Sequence, residues 1–297
     1  MLITQLRQLP TFQVLCGAFL ISFSGIFVKL ADVSPTASGF YRVFFGAVFL
    51  FGATYWVKGF KKLTRAEWLL ITFCGFVFAL DLFFWHESIM YIGPGLATLL
   101  GNFQVFFLAA AGILFLGEKS RPRFFAALPL AILGLLLIVG IHWNTLTNNY
   151  KTGIYFGLLT AACYTAFLLS LRKIRSRDTH SLFSTLMIVS VTCAFFLGIK
   201  MLHAGDSFTI PNYKSLSALL GLGLFSQTVG WVLIAHALPK MRASHAGLIL
   251  LLQPSLAFIW DVLLFNRPTD TLNWLGLLIT LAAIYMGLTG KASRPPR

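Results

Sequence analysis

The sequence predicts an all-α membrane protein, with ten transmembrane helices arranged as two inverted five-helix repeats. Three observations carry that expectation. Hydrophobic residues make up 58% of the 297-residue chain and charged residues only 11%, and the mean hydropathy is +0.82. A soluble domain carries about 25% charged residues, so this chain cannot cover a water-facing surface. The apolar residues also gather into ten runs near the length of about 20 residues that a bilayer-crossing helix needs. Finally, a stretch of the first half returns in the second, half a chain length away.

The ten runs cover 12–31, 37–57, 67–90, 95–117, 123–141, 152–171, 181–202, 214–237, 244–264 and 272–290. The first starts near Phe12 and is long enough to be a span itself. Between the runs stand ordinary loop sequences: DVSPT (32–36), KGFKKLTR (58–65), GPG (93–95), EKSRPR (118–123), HWNTLTNNYK (142–151), RKIRSRD (172–178) and LPKMR (238–242). None is long enough for a soluble domain, and the short tail KASRPPR follows the last run. Gly93-Pro94-Gly95 reads as a tight turn joining spans 3 and 4. Pro129, Pro239 and Pro254 are positions where helices kink or end. Cys16, Cys74, Cys163 and Cys193 lie in apolar runs without a CxxC pair, so they read as packing residues. No cofactor or metal site is expected.

Charge sets the orientation. Lys and Arg concentrate in alternate connections: Arg7; Lys58, Lys61, Lys62 and Arg65; Lys119, Arg121 and Arg123; Arg172, Lys173, Arg175 and Arg177; Lys240 and Arg242; and Lys291, Arg294 and Arg297. The intervening loops hold Lys151, Lys200, Lys214 and Arg267. The positive-inside rule places both termini in the cytoplasm, which demands an even number of spans. The net charge of +14 is accounted for by these loops beside an anionic leaflet, and no nucleic-acid partner is expected.

The repeat is visible in two segments, LATLLGNFQVFFLAAAGILFLGE (96–118) and HAGLILLLQPSLAFIWDVLLFNR (245–267). At an offset of 149, Ala97 meets Ala246 and Gln104 meets Gln253. The expected division is 1–148, 149–290 and a basic tail at 291–297. With five spans per half, the second half inserts upside down, as in many secondary transporters. Ten spans in about 300 residues, SGIFVKLADVSPTASGFYRVFFGAVFL (24–50) and FLGE (115–118) resemble the drug/metabolite transporter superfamily, EamA type. Tyr41-Arg42 early in span 2, Gly117-Glu118 closing span 4 and Pro254 within span 9 match its pattern. Asn266-Arg267 departs from it, because the family often repeats Gly-Glu there. The resemblance implies a carrier for amino acids or related metabolites, with export commoner than import.

Polar groups inside the membrane are the candidate site. Helical spacing puts Asp81, Trp85 and Ser88 on one face of span 3. Asp81 would bind a substrate amine or carry a proton, with Trp85 as a lid. The alternative is a structural ion pair with Lys29 or Arg42. His86 and Glu87 point elsewhere, toward the outer surface. Gln104 and Gln253, related by the repeat, would face each other across the pseudo-twofold axis and offer amides to a polar solute. The plainer role is helix–helix contact worth about 0.6–2 kcal/mol. Asn102 is such a contact. Ser22, Gly25 and Lys29 share a face of span 1, Thr160 and Tyr164 one of span 6, Gln227 and Trp231 one of span 8, and Trp260 falls on the Gln253 stripe. Asp261 would pair with Arg267 or answer Asp81 from the other half. Lys29, Arg42 and Asp261 are thus candidates for gating or ion pairing.

The expected function is a secondary transporter moving a small polar metabolite across the inner membrane by alternating access, by proton coupling or exchange. Its partners are the small-molecule substrate and membrane lipids, and it acts as a monomer or homodimer. A channel or structural membrane component is the rival reading, and a membrane-embedded enzyme a more distant one, since acids and histidines scatter along the chain. The orientation is tested by labelling from outside the cell. Asn148→Cys should react with an impermeant maleimide and Lys61→Cys should not; the reverse pattern contradicts the charge argument.

Overall fold

The computed structural model describes residues 9–118, 122–139, 150–177, 180–266 and 268–288, without the side chains of 93–96. Within them are ten helices long and apolar enough to cross a membrane. They are α1 (Pro10–Ala31), α2 (Pro35–Trp56), α3 (Arg65–Ile92), α4 (Ala97–Leu116), α5 (Pro122–Val139), α6 (Tyr150–Ser176), α7 (Leu182–Ala204), α8 (Tyr213–Lys240), α9 (Ala243–Phe265) and α10 (Thr271–Leu288). Most bounds lie within a few residues of the sequence expectation, and α6 runs on to Ser176. Residues 140–149, Arg267 and the tail lie outside the described residues.

The ends follow from local chemistry. Pro10 and Pro35 sit in the first turns of α1 and α2, where a missing N–H costs no hydrogen bond. Thr64 and Glu67 form a reciprocal capping box at the start of α3, and Asn212 accepts from the Ser215 N–H at the start of α8. Gly117 and Asn266, 149 residues apart, close α4 and α9 in left-handed backbone with φ of 62° and 49°.

Residues 93–95 stay within a continuous helical span from Arg65 to Gly101, although Pro94 supplies no N–H to it. That corrects the expectation of a loop-type turn. The chain nonetheless reverses there. Trp85 Nε1 donates to Thr98 Oγ1 at 3.2 Å, across 13 residues, a separation that a straight helix would stretch to about 20 Å. The reversal is therefore a sharp bend between α3 and α4.

Four helices are irregular at mid-length. In α1 the helix stops at Ser22 and resumes at Ser24. Both serine hydroxyls bond back to carbonyls three residues earlier, at 2.6 Å, which competes with the helical ladder. In α4 the gap falls at Asn102-Phe103, where Asn102 Nδ2 donates to the Thr98 carbonyl at 2.8 Å. In α9 it falls at Leu251, because Pro254 has no N–H for the Leu250 carbonyl. The gaps in α4 and α9 are again 149 residues apart. In α8, residues Leu222–Gly230 wind as a π-helix, a geometry frequent at functional sites.

Packing fits the inverted duplication. Helices α2, α4 and α5 each lie against their repeat counterparts α7, α9 and α10, and the contact of α3 with α6 is matched by that of α8 with α1. The closest approach is between α5 and α10. A Cβ built on Gly276 would stand 2.5 Å from the Gly134 carbonyl oxygen and 2.7 Å from Leu137 Cβ. Asn273 Nδ2 also donates to the Leu137 and Ile138 carbonyls, at 2.9 and 3.3 Å. Gly276→Ala should therefore cost about 1–3 kcal/mol by overpacking. Gly52→Ala, with nothing within 4 Å of its new methyl, should not. Thermal melting in detergent checks both, and an unchanged melting point for Gly276→Ala contradicts the packing account.

Candidate functional site

A cavity of about 340 Å³ opens among α1, α2, α3, α4, α6, α8 and α9. Its wall comes from Ile21, Ser22, Ser24, Gly25 and Val28 of α1; Ser38, Gly39 and Arg42 of α2; and Phe78, Asp81, Leu82, Trp85 and His86 of α3. Thr98, Gly101 and Asn102 of α4, Thr160 and Tyr164 of α6, Leu222 and Trp231 of α8, and Gln253, Pro254 and Ala257 of α9 complete it. The gaps in α1, α4 and α9 all border it, as do residues at or beside the π-wound segment of α8. Irregular backbone at membrane depth is tolerated where it lines a cavity.

The cavity is displaced away from the basic loops. Its residues belong to the first turns of α2 and α4 and the last half of α3, all at the face carrying the 32–34 connection and the α3–α4 bend. Toward the basic face an aromatic cluster forms the floor. Phe78 stacks on Phe167 at 4.4 Å between centroids, and Trp231 meets Phe167 edge-on at 4.8 Å and Tyr164 at 6.2 Å. Trp231 and Phe167 are fully buried.

A basic and an acidic side chain share this space. Arg42 Nε donates to Gln227 Oε1 at 3.2 Å, and Gln227 Nε2 donates in turn to Ser190 Oγ at 3.0 Å. Gly46 leaves the room for Gln227: a Cβ there would run into its side chain. Asp81, 7% exposed, lies within the electrostatic reach of Arg42. Yet among the described residues Asp81 makes no ion pair or hydrogen bond with any side chain. A buried ionisable group without a contacting partner is costly.

The sequence-predicted residues divide. Asp81, Trp85, Tyr164, Trp231, Gln253, Ser22 and Arg42 line the cavity. Gln104 does not. It is fully buried against α9 and donates to the Gly247 carbonyl at 3.3 Å, so the two repeat-related glutamines do not face each other. The cause is the gap at Asn102-Phe103, which breaks the stripe through Ala97, Gly101 and Gln104; Asn102 lines the cavity in its place. Gln227 stands behind Arg42 rather than on the wall. Trp260 is off the cavity too: it stacks on Phe23 at 4.6 Å and donates to Ser22 Oγ at 2.8 Å, tying α9 to the gap in α1. Lys29 pairs with Asp261 at 2.6 Å at the rim. Arg267 lies outside the described residues.

Two further residues were named in the sequence but not placed at the cavity or given partners. His86 lines the cavity beside Gly39, and among the described residues its Nδ1 has no hydrogen-bond partner. Phe78 to His86 spans an arc of α3 wider than the single stripe through Asp81 and Trp85. Glu87, by contrast, turns to α7 and pairs with Lys200 at 3.2 Å. Glu118 was visible only as a motif; its contacts lie 54 and 125 residues away, on α6 and α9.

Ten helices long and apolar enough to cross a membrane thus surround a small, mostly apolar cavity with a few polar groups on its wall. Residues 9–140 and 151–289 each match the EamA-like transporter family, and the chain belongs to that family. A protein named "Uncharacterized transporter" from Archaeoglobus fulgidus is 23% identical over 272 residues, 89% of this chain and 91% of its own. Escherichia coli K12 has a "Probable amino-acid metabolite efflux pump" that is 23% identical over 205 residues, 66% of this chain and 68% of its own. Among solved structures, one crystal structure superposes with a TM-score of 0.79 at 13% identity, covering 94% of this chain and 97% of that one. That likeness speaks for the fold.

The two glutamines should now separate in experiment. Gln104→Ala, removing a buried side chain and its bond to Gly247, should lower stability by about 1–3 kcal/mol while transport by the folded fraction persists. Gln253→Ala should melt near the native temperature and transport poorly. The opposite pattern in melting and uptake would place Gln104, not Gln253, at the solute.

Proposed function

We propose that this transporter is a secondary carrier that moves a small zwitterionic metabolite, an amino acid or close relative, outward across the cytoplasmic membrane by alternating access. The single observation that carries this reading is the part-buried Arg42 and the buried Asp81, which face one cavity without contacting each other. An α-amino acid brings a carboxylate to Arg42 and an ammonium to Asp81, and each contact is a charge-assisted hydrogen bond. The rest of the wall is largely apolar, with Ile21, Val28, Phe78, Leu82 and Leu222, and suits an uncharged side chain. The Escherichia coli relative named as an amino-acid metabolite efflux pump supports the same solute class.

In this reading the basic face is cytoplasmic and the present conformation is the outward-facing one. Residues 1–148 and 149–290 are the two halves that move. Energy comes from exchange or from proton movement, and the chain works alone or as a homodimer. The filled aromatic floor favours a carrier over a channel, because an open pore would have to pass through it.

Proteoliposomes loaded with unlabelled amino acids test the reading. External labelled solute should accumulate by counterflow, which a channel does not support. Asp81→Asn and Arg42→Gln should each raise the half-saturating concentration by about 10-fold or more, as expected for losing one hydrogen bond to a charged group. Native affinity for zwitterions in both variants would sink the assignment.

A further inference from the structure

Of the ion pairs that join the halves, two lie at opposite faces of the bundle on helix pairs related by the repeat. At the cavity rim, Lys29 of α1 meets Asp261 of α9 at 2.6 Å, with 49% and 29% of the side chains exposed. At the basic face, Glu118, just beyond α4, meets Arg172 of α6 at 3.4 Å, with 7% and 22% exposed. The offset of 149 carries α1 onto α6 and α4 onto α9, so the helix pairs correspond. The carboxylates correspond as well, although the residues do not. Glu118 folds back over Gly112, and Gly112 is the repeat counterpart of Asp261.

The two contacts differ in strength. Glu118 also accepts from the Ala243 N–H at 2.7 Å, the Ser244 N–H at 3.3 Å and the Ser244 hydroxyl at 2.7 Å. It therefore caps the first turn of α9 with a buried negative charge, where the helix dipole favours one. Arg172 donates in addition to the Met241 carbonyl at 3.0 Å. One carboxylate thus ties α4 of the first half to α6 and α9 of the second. The Lys29–Asp261 pair is more exposed, and more exposed pairs contribute less.

We infer that these pairs are the two gates of the transport cycle, and that Glu118–Arg172 holds the basic face shut while the rim pair yields easily. The substrate cavity agrees: Val28 and Ala257 stand within a turn of Lys29 and Asp261, whereas its α4 lining ends at Asn102, about 24 Å of helix from Glu118. Opening the basic face then requires α4 to release the start of α9. Glu118 and Arg172 act as positioning residues and need not touch the solute. The inference rests on the alternating-access reading but not on the identity of the solute.

Spin labels at Phe115→Cys and Lys240→Cys, in a background without native cysteines, report the distance across this gate in the full-length protein. No substrate is needed, so a wrong solute class leaves the result readable. The unsubstituted gate should give one short distance. Glu118→Gln should shift the ratio of long to short distances by about 5-fold or more, within the usual range of conformational coupling. Arg172→Gln, which leaves the cap on α9 in place, should shift it the same way and serves if Glu118→Gln does not fold. Asp261→Asn should leave the short distance dominant. An unmoved distribution in Glu118→Gln or, if that variant does not fold, in Arg172→Gln overturns the inference, as does an equal opening in Asp261→Asn.

Discussion

Arg42 and Asp81 are the constraint around which the bundle is arranged. Asp81 is buried and Arg42 part-buried on a wall that is largely apolar, and each would be expensive there alone. The protein does not bring them into contact. Arg42 is held back by Gln227, which is itself held by Ser190 and given space by Gly46. Asp81 remains on the far side of a cavity. Four helices are involved in keeping the two groups near but apart, and under the proposed function a ligand supplies the missing partners.

The same requirement accounts for where the helices are irregular. Straight helices would pack against each other and leave little room at mid-membrane. The gaps in α1, α4 and α9 and the π-wound segment of α8 pull backbone away from the centre. The serine, asparagine and proline chemistry that causes the gaps in α1, α4 and α9 lies at or next to the cavity. By contrast α5 and α10, which contribute nothing to the wall, approach each other closely at Gly134 and Gly276.

Much of this was legible in the sequence, for identifiable reasons. Membrane insertion demands long apolar runs, so ten spans could be read directly, and the duplication of LATLLGNFQ in HAGLILLLQ pointed to two halves. Asp81, Trp85, Tyr164 and Gln253 were placed on the cavity because helical spacing held over the segments containing them. Gln104 and Gln227 were misplaced because a helix gap and a π-helix shift the register that the spacing argument assumes. Trp260 reads as a wall residue by spacing, but its ring finds Phe23 where α1 breaks. His86 was missed because the cavity covers a wide arc of α3. The partners of Glu118 and Asp261 depend on which helices become neighbours, and no local pattern encodes that.

The most direct test of the central claim is the thermal stability of the double variant Arg42→Gln/Asp81→Asn, with and without a neutral amino acid. Replacing buried ionic groups by neutral ones is often neutral or stabilising. If the charges serve a ligand rather than the fold, the ligand-free double variant melts at or above the native temperature. It also loses the stabilisation that a bound solute gives the native protein. A double variant that is strongly destabilised, yet still gains the native stabilisation from the solute, would show that the charges hold the fold and that binding lies elsewhere.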